Sequence, residues 1–162
     1  MNKITKEYFK HPLVEELVGT VESFGGEVLL APRKFFSKGS DANFCPNTYS
    51  VFLCSYDKES GRLLPLSDFI LNLAHETRHL LHMVSNKYSS YYSYALGFED
   101  KPKILVGLNA ERDCDKWAVK YVEKHKLYLN IPKKRRRKFL SVKYPIDGVF
   151  GYDQYKMLAR KK

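Results

Sequence analysis

Residues 75 to 79 read His-Glu-Thr-Arg-His, an HExxH pattern, inside the run Leu66 to Met83 that has the composition of a helix. On a helix, positions i and i+4 point the same way. His75 and His79 can therefore offer two imidazoles to one zinc ion while Glu76 sits beside them as a proton acceptor. The chemistry this implies is hydrolysis by a metal-activated water, with Glu76 as general base. A chain of 162 residues with five histidines produces HExxH by chance about once in a hundred times or less, so a second element is required.

A catalytic zinc ion takes three protein ligands and leaves one position open for water. The extended metzincin pattern would need glycine at position 82 and histidine at 85, but the chain has His82 and Ser85, and that pattern fails. His82 could share the face of His79, yet three ligands in one crowded helical stretch make poor geometry for an open site, and it is assigned no role. A glutamate on a later helix is the third possibility. From Leu108 to Val122, a 3, 4, 3, 4 spacing aligns Leu108, Glu111, Asp115, Ala118 and Val122, which places two carboxylates on the stripe an amphipathic helix buries. Buried acids need partners. Zinc would be one for Glu111, and a ligand histidine N–H one for Asp115; ordinary ion pairs with Arg112, Lys116 or Lys120 are the alternative. Asp113 falls off the stripe and is expected to face solvent.

HETRH followed 32 residues later by Glu-Arg-Asp-Cys-Asp-Lys-Trp-Ala resembles the gluzincin arrangement HExxH…ExxxD, and most resembles the ImmA/IrrE metallopeptidases. The HtpX-like membrane peptidases share the motif pair but fit less well, because no membrane span is evident. The resemblance covers roughly residues 5 to 125. It implies that His75, His79 and Glu111 ligate zinc, that Glu76 is the general base and that Asp115 supports a ligand histidine. Cys114 stands where the family usually has alanine, and Arg78 is a large cation expected to narrow the cleft.

Composition bounds the rest. An apolar content of 44% with 14% aromatic residues describes a globular chain. No run of 18 apolar residues occurs and the first ten residues lack a hydrophobic stretch, so neither a membrane anchor nor a secretory signal is expected, and the cytoplasm of the producing or host cell is the expected location. Cys45, Cys54 and Cys114 are an odd number without CxxC spacing, and are expected to be reduced.

The expected fold is α+β: a minimal zincin-like domain over residues 1–131 with a small sheet packed on the HExxH helix and the carboxylate helix, and a basic extension over 132–162. Residues 5–20 read as one amphipathic helix ending before Gly25-Gly26, and residues 27–32 and 48–56 as strands. A loop is expected between those strands, and a turn at 57–62. An edge strand beside the cleft would hold an extended peptide by main-chain pairing. The run Lys87 to Gly97 contains four tyrosines in seven residues and reads as a loop packed over the site, one of whose phenols could stabilise an oxyanion.

Residues 132–162 hold eleven Lys/Arg against Asp147 and Asp153, which is +9 of the chain's net +10. Lys133, Lys134, Arg135, Arg136, Arg137 and Lys138 are consecutive cations, suited to nucleic acid or another polyanion or else to a solvated linker. Phe139, Tyr144, Ile146, Val149, Phe150, Tyr152 and Tyr155 are expected to pack as a small appendage. Three functions follow as expectations: a zinc metallopeptidase acting on a protein or peptide; a weakly active or inactive binding module using the basic C-terminus; and a SprT/Spartan-like crosslink protease, which needs a third histidine and has only His125 downstream.

Overall fold

Pro12 decides where the first long helix begins. Its ring removes a backbone donor and biases the residue before it towards extended geometry. His11 accordingly sits at φ −77°, ψ 131°, its Nδ1 accepting from the Leu13 N–H. In the computed structural model, which describes residues 3–36, 41–56, 62–97, 104–126 and 129–141, the single helix expected over 5–20 is therefore two: α1 (Lys3–Tyr8) and α2 (Pro12–Ser23). Leu13, Val14, Leu17 and Val21 form the buried stripe of α2. Beyond it Gly25 takes φ +81° and Gly26 runs so close to Tyr49 that an added Cβ would stand 2.0 Å from its carbonyl oxygen.

The sheet has three short strands, β1 (Val28–Leu30), β2 (Ala42–Cys45) and β3 (Ser50–Leu53), in the order β1-β3-β2. β1 runs parallel to β3, and β2 antiparallel to it with Phe44 opposite Val51. Two strands were expected here; β2 falls in the stretch read as loop. Four residues containing one asparagine carry too little alternation to mark a strand, and pairing with β3 supplies the hydrogen bonds that make it one. Ala42, Phe44, Val51 and Leu53 face the core. A bridge between Tyr56 and Leu63 flanks the expected turn, whose residues 57–61 lie outside the described residues.

After Pro65, α3 (Leu66–Val84) runs through the middle of the molecule and packs against α2, β2, β3 and α5 (Ile104–Lys124). Phe69, Ile70, Leu71, Leu73, Ala74 and Leu80 are fully buried around it; each Leu or Phe so placed stabilises the fold by about 1.5–3 kcal/mol. The tyrosine run expected as a loop instead forms α4 (Ser89–Ala95), entered through Tyr88 in the left-handed region at φ 57°. A last helix, α6 (Lys133–Leu140), packs on α5. The described residues thus form an α+β fold of six α-helices and a three-stranded sheet. Among them no helix is long and apolar enough to cross a membrane, and Cys45, Cys54 and Cys114 are free thiols. Of the expected appendage, Phe139 packs against the core cluster; residues 142–162 lie outside the described residues.

Because the clash at Gly26 is with backbone, Gly26→Ala is expected to destabilise the protein by at least about 1–3 kcal/mol. Gly19, exposed within α2 with nothing near its Cβ position, is the contrast: Gly19→Ala should stabilise by about 0.5–1 kcal/mol. Urea unfolding of both variants measures the two signs.

Candidate metal centre

α3 carries His75, Glu76 and His79, and the neighbouring α5 carries Glu111 and Asp115; all five are less than a tenth exposed. His75 Nε2 lies 3.1 Å from His79 Nε2 and 3.1 Å from Glu111 Oε2, and His79 Nε2 lies 3.4 Å from the same oxygen. Donor atoms held tetrahedrally at 2.0–2.1 Å from one ion stand about 3.3 Å apart. The triangle has those dimensions.

The outer atoms of the same side chains are held as well. His75 Nδ1 is 2.9 Å from Asp115 Oδ1. A carboxylate only accepts, so the Nδ1 proton donates to it and Nε2 is left to face Glu111. His79 Nδ1 is 2.7 Å from the Tyr92 hydroxyl oxygen, and the Tyr91 hydroxyl donates to Glu111 Oε1 at 2.9 Å. Acceptors facing acceptors in a buried place call for positive charge. Burial alone would lower the proton affinity of His75, but Asp115, Glu111 and Glu76 together hold it well above its ordinary value. Burial would raise Glu111, yet His79 and His75 hold its carboxyl well below the ordinary range. Such a cluster draws in a cation, whether a proton or a metal.

His75, His79 and Cys114 form a buried group whose ligand atoms lie within 4.8 Å of one another and could hold a metal ion. The thiol is the weaker anionic candidate, however. Burial and the surrounding carboxylates, Glu111 foremost, push Cys114 well above its ordinary value, whereas Glu111 stays ionised with its Oε2 3.1 and 3.4 Å from the two nitrogens. Thiolate, not thiol, is the metal ligand.

Glu76 points its carboxylate to the backbone N–H of Phe44 on β2, an edge strand. Burial raises its pKa while His75 and His79 oppose the rise. A carboxylate with raised proton affinity beside two imidazoles is suited to taking and returning a proton. The Phe44 ring lies parallel to the His79 ring at 6.4 Å and edge-on to Tyr92.

Asp113, expected to face solvent, is instead partly buried and draws in three donors. His82 Nε2 approaches its Oδ2 at 2.6 Å, Arg78 Nε at 3.0 Å, and Lys87 Nζ its Oδ1 at 3.1 Å. Asp113 lies off the stripe of Glu111 and Asp115, yet its carboxylate reaches His82 and Arg78 on α3. His82, assigned no role from the sequence, is fully buried. Burial lowers its pKa to about 4, outweighing Asp113. Its Nδ1 lies 3.2 Å from the Tyr92 hydroxyl. Arg78, expected to narrow the cleft, is occupied with Asp113 and lies 5.7 Å above the centre of the Trp117 ring.

Sequence reasoning thus missed Phe44, Tyr91, Tyr92, His82 and Asp113. Four tyrosines in seven residues carry no periodicity that singles out two, and only the helical turn of α4 buries Tyr91 and Tyr92 together. No third histidine joins the triangle: His82 turns its nitrogens to Tyr92 and Asp113, His11 caps α2, and His125 lies against Tyr121 with Glu16 at 4.0 Å.

The six cations are divided by helical geometry. At about 100° per residue, Lys133, Lys134, Arg137 and Lys138 fall on one side of α6, and all four are exposed. Arg135 and Arg136 fall on the other. Arg135 Nε donates to Asp68 Oδ1 on α3 at 2.7 Å, and Arg136 pairs with Glu123 on α5. The run is therefore a docked helix rather than a free linker.

Comparison of the chain with protein-family models, curated proteins and solved structures gives no match.

Burial alone would raise Asp113, but His82, Lys87 and Arg78 draw its carboxyl from 3.8 down to about 2. A folded-state value below the unfolded one gives stability that is present above the unfolded value and lost as pH falls through the folded one. The urea midpoint of metal-free protein should therefore drop between about pH 4 and pH 2. Asp113→Asn should show a smaller drop over that window, Glu111 supplying the remainder; an unchanged acid slope would remove Asp113 from the account.

Proposed function

We propose that this chain is a zinc-dependent metallopeptidase of the gluzincin type, most like the ImmA/IrrE enzymes, with His75, His79 and Glu111 as zinc ligands and Glu76 as general base. The observation that carries the reading is the triangle of His75 Nε2, His79 Nε2 and Glu111 Oε2 at 3.1–3.4 Å. Two nitrogens and one carboxylate oxygen suit zinc, and such a set leaves a fourth position open.

When bound there, zinc would lower the pKa of a water and polarise the carbonyl of a scissile peptide bond. The remaining work falls to the chain's own residues. Asp115 orients His75, and Tyr91 orients Glu111. Glu76 accepts the proton of the attacking water and returns it to the leaving amine. β2 is an edge strand whose Phe44 reaches Glu76, so an extended peptide adding to it would run past the base. The buried position of Glu76 supports this role, because its raised proton affinity suits a group that must pick up a proton at neutral pH.

Wild-type protein is expected to hold about one zinc per chain by elemental analysis, and Glu111→Ala to lose it. Glu76→Gln should keep the zinc yet cut unstructured peptides at least about 100-fold more slowly. A fully active Glu76→Gln would falsify the mechanism; zinc-loaded wild type without cleavage would favour the inactive binding module.

A second reading concerns a partner and is favoured by the division of α6. Lys133, Lys134, Arg137 and Lys138 share one exposed side, and among the described residues no carboxylate pairs with them. This face suits a polyanion such as nucleic acid. Replacing these four with glutamine should abolish most salt-dependent binding to a mixed-sequence DNA or RNA oligonucleotide, whereas Arg135→Gln, which cuts the tie to Asp68, should lower stability more than binding. Equal binding by the fourfold variant would sink the reading.

A further inference from the structure

Resting on the zinc reading above, we propose that Tyr92, His82 and Asp113 form a one-way hydrogen-bond chain that orients His79 and turns its Nε2 lone pair towards His75 and Glu111. The three are positioning residues. His75 has a carboxylate, Asp115, directly at its Nδ1. His79 has instead the Tyr92 hydroxyl, and the chain supplies a carboxylate two links further on.

The direction follows from the end that cannot donate. The Asp113 carboxylate accepts only, so the proton on that side of His82 sits on Nε2, 2.6 Å from Asp113 Oδ2. A neutral imidazole then carries a lone pair on Nδ1, which lies 3.2 Å from the Tyr92 oxygen and accepts its O–H. With its only proton given to His82, the Tyr92 oxygen accepts the Nδ1–H of His79 at 2.7 Å. A neutral His79 protonated on Nδ1 has its remaining lone pair on Nε2, the atom 3.1 Å from His75 Nε2. The reversed chain would put a hydrogen on that nitrogen and block it as a ligand.

The competing contact along the chain is weak: Cys114 Sγ lies 3.8 Å from His82 Nδ1, farther than the Tyr92 oxygen at 3.2 Å, and a thiol is a poor donor. His79, His82 and Tyr92 are buried, His82 completely, so water does not replace the links among these three. Rings fix the middle: Tyr88 stands edge-on to His82 at 4.9 Å, and Phe44 edge-on to Tyr92 at 6.5 Å. At the outer end Arg78 and Lys87 hold the Asp113 carboxylate in place. Arg78, the cation inside HExxH, thereby acquires a reason to be there: it anchors the far end of the chain that orients its neighbour His79.

The test is zinc affinity, measured on the metal-free full chain by competition with a chromophoric chelator, together with the visible spectrum of the cobalt-loaded protein. Tyr92→Phe and His82→Leu should each weaken zinc binding about 10–100-fold and shift the cobalt bands. The double variant should be no weaker than Tyr92→Phe alone, because the chain is already cut, whereas independent packing effects would add. His82→Asn, which restores an acceptor near the Nδ1 position, should recover most of the affinity lost in His82→Leu, and carries the comparison if Tyr92→Phe does not fold. Wild-type affinity in Tyr92→Phe, additive losses in the double variant, or no recovery in His82→Asn would overturn the chain; the zinc reading stands in those cases provided wild type binds zinc and Glu111→Ala does not. A wild type that binds no zinc overturns both.

Discussion

Two imidazole nitrogens and a carboxylate oxygen meet within 3.4 Å in a place that water hardly reaches, and much of the surrounding structure makes sense as the means of keeping them there. Acceptors this close repel unless positive charge lies between them, and burial sharpens the repulsion because little solvent screens it. The far side of each group is therefore pinned: Asp115 holds His75, Tyr92 holds His79, and Tyr91 holds Glu111. The strong pull of His75 for a proton and the ionised state of Glu111 are two views of one fact. Without a cation the cluster is under tension, and with one it is satisfied.

Rigid elements carry that tension. The site lies on α3 and α5, two long helices in mutual contact, with α3 also backed by the sheet and α2. Helices fix side-chain direction along their length, so once the pair is docked the positions of His75, His79, Glu111 and Asp115 are set together. α4 closes the cluster with two tyrosines, and β2 closes it from the sheet through the Phe44 N–H. α6 is tied back to the start of α3 through Arg135 and Asp68, which places a cationic surface on the same framework as the cluster.

How much of this could be read in advance follows the range of the interactions. The α+β character and two helices, read over 66–83 and 109–122, were legible, because their cues are local: a helix-like composition in the first, an apolar stripe of 3.6-residue period along the second. The break at Pro12 was legible in principle, since proline acts on its own neighbours, but apolar periodicity on both sides hid it. β2 was not legible, because four residues become a strand only when β3 lies beside them. The solvent-facing assignment of Asp113 failed for a related reason. A helix face is solvent only if nothing packs there, and α3 supplies His82 and Arg78 to that side.

Local spacing alone puts His75, Glu76 and His79 on one stretch of helix, and Glu111 and Asp115 on the inward stripe of another. Helical spacing is a property of the nearest few residues and holds wherever the helix is put. The packing of the folded chain decided that the two stripes face each other and that Tyr91 and Tyr92 cap the cluster. It likewise decided that His82 and Asp113 belong to it and that the cationic run divides into two docked arginines and four exposed cations. Those contacts join residues from ten to nearly seventy positions apart. Their existence depends on how whole helices pack, which no local spacing encodes.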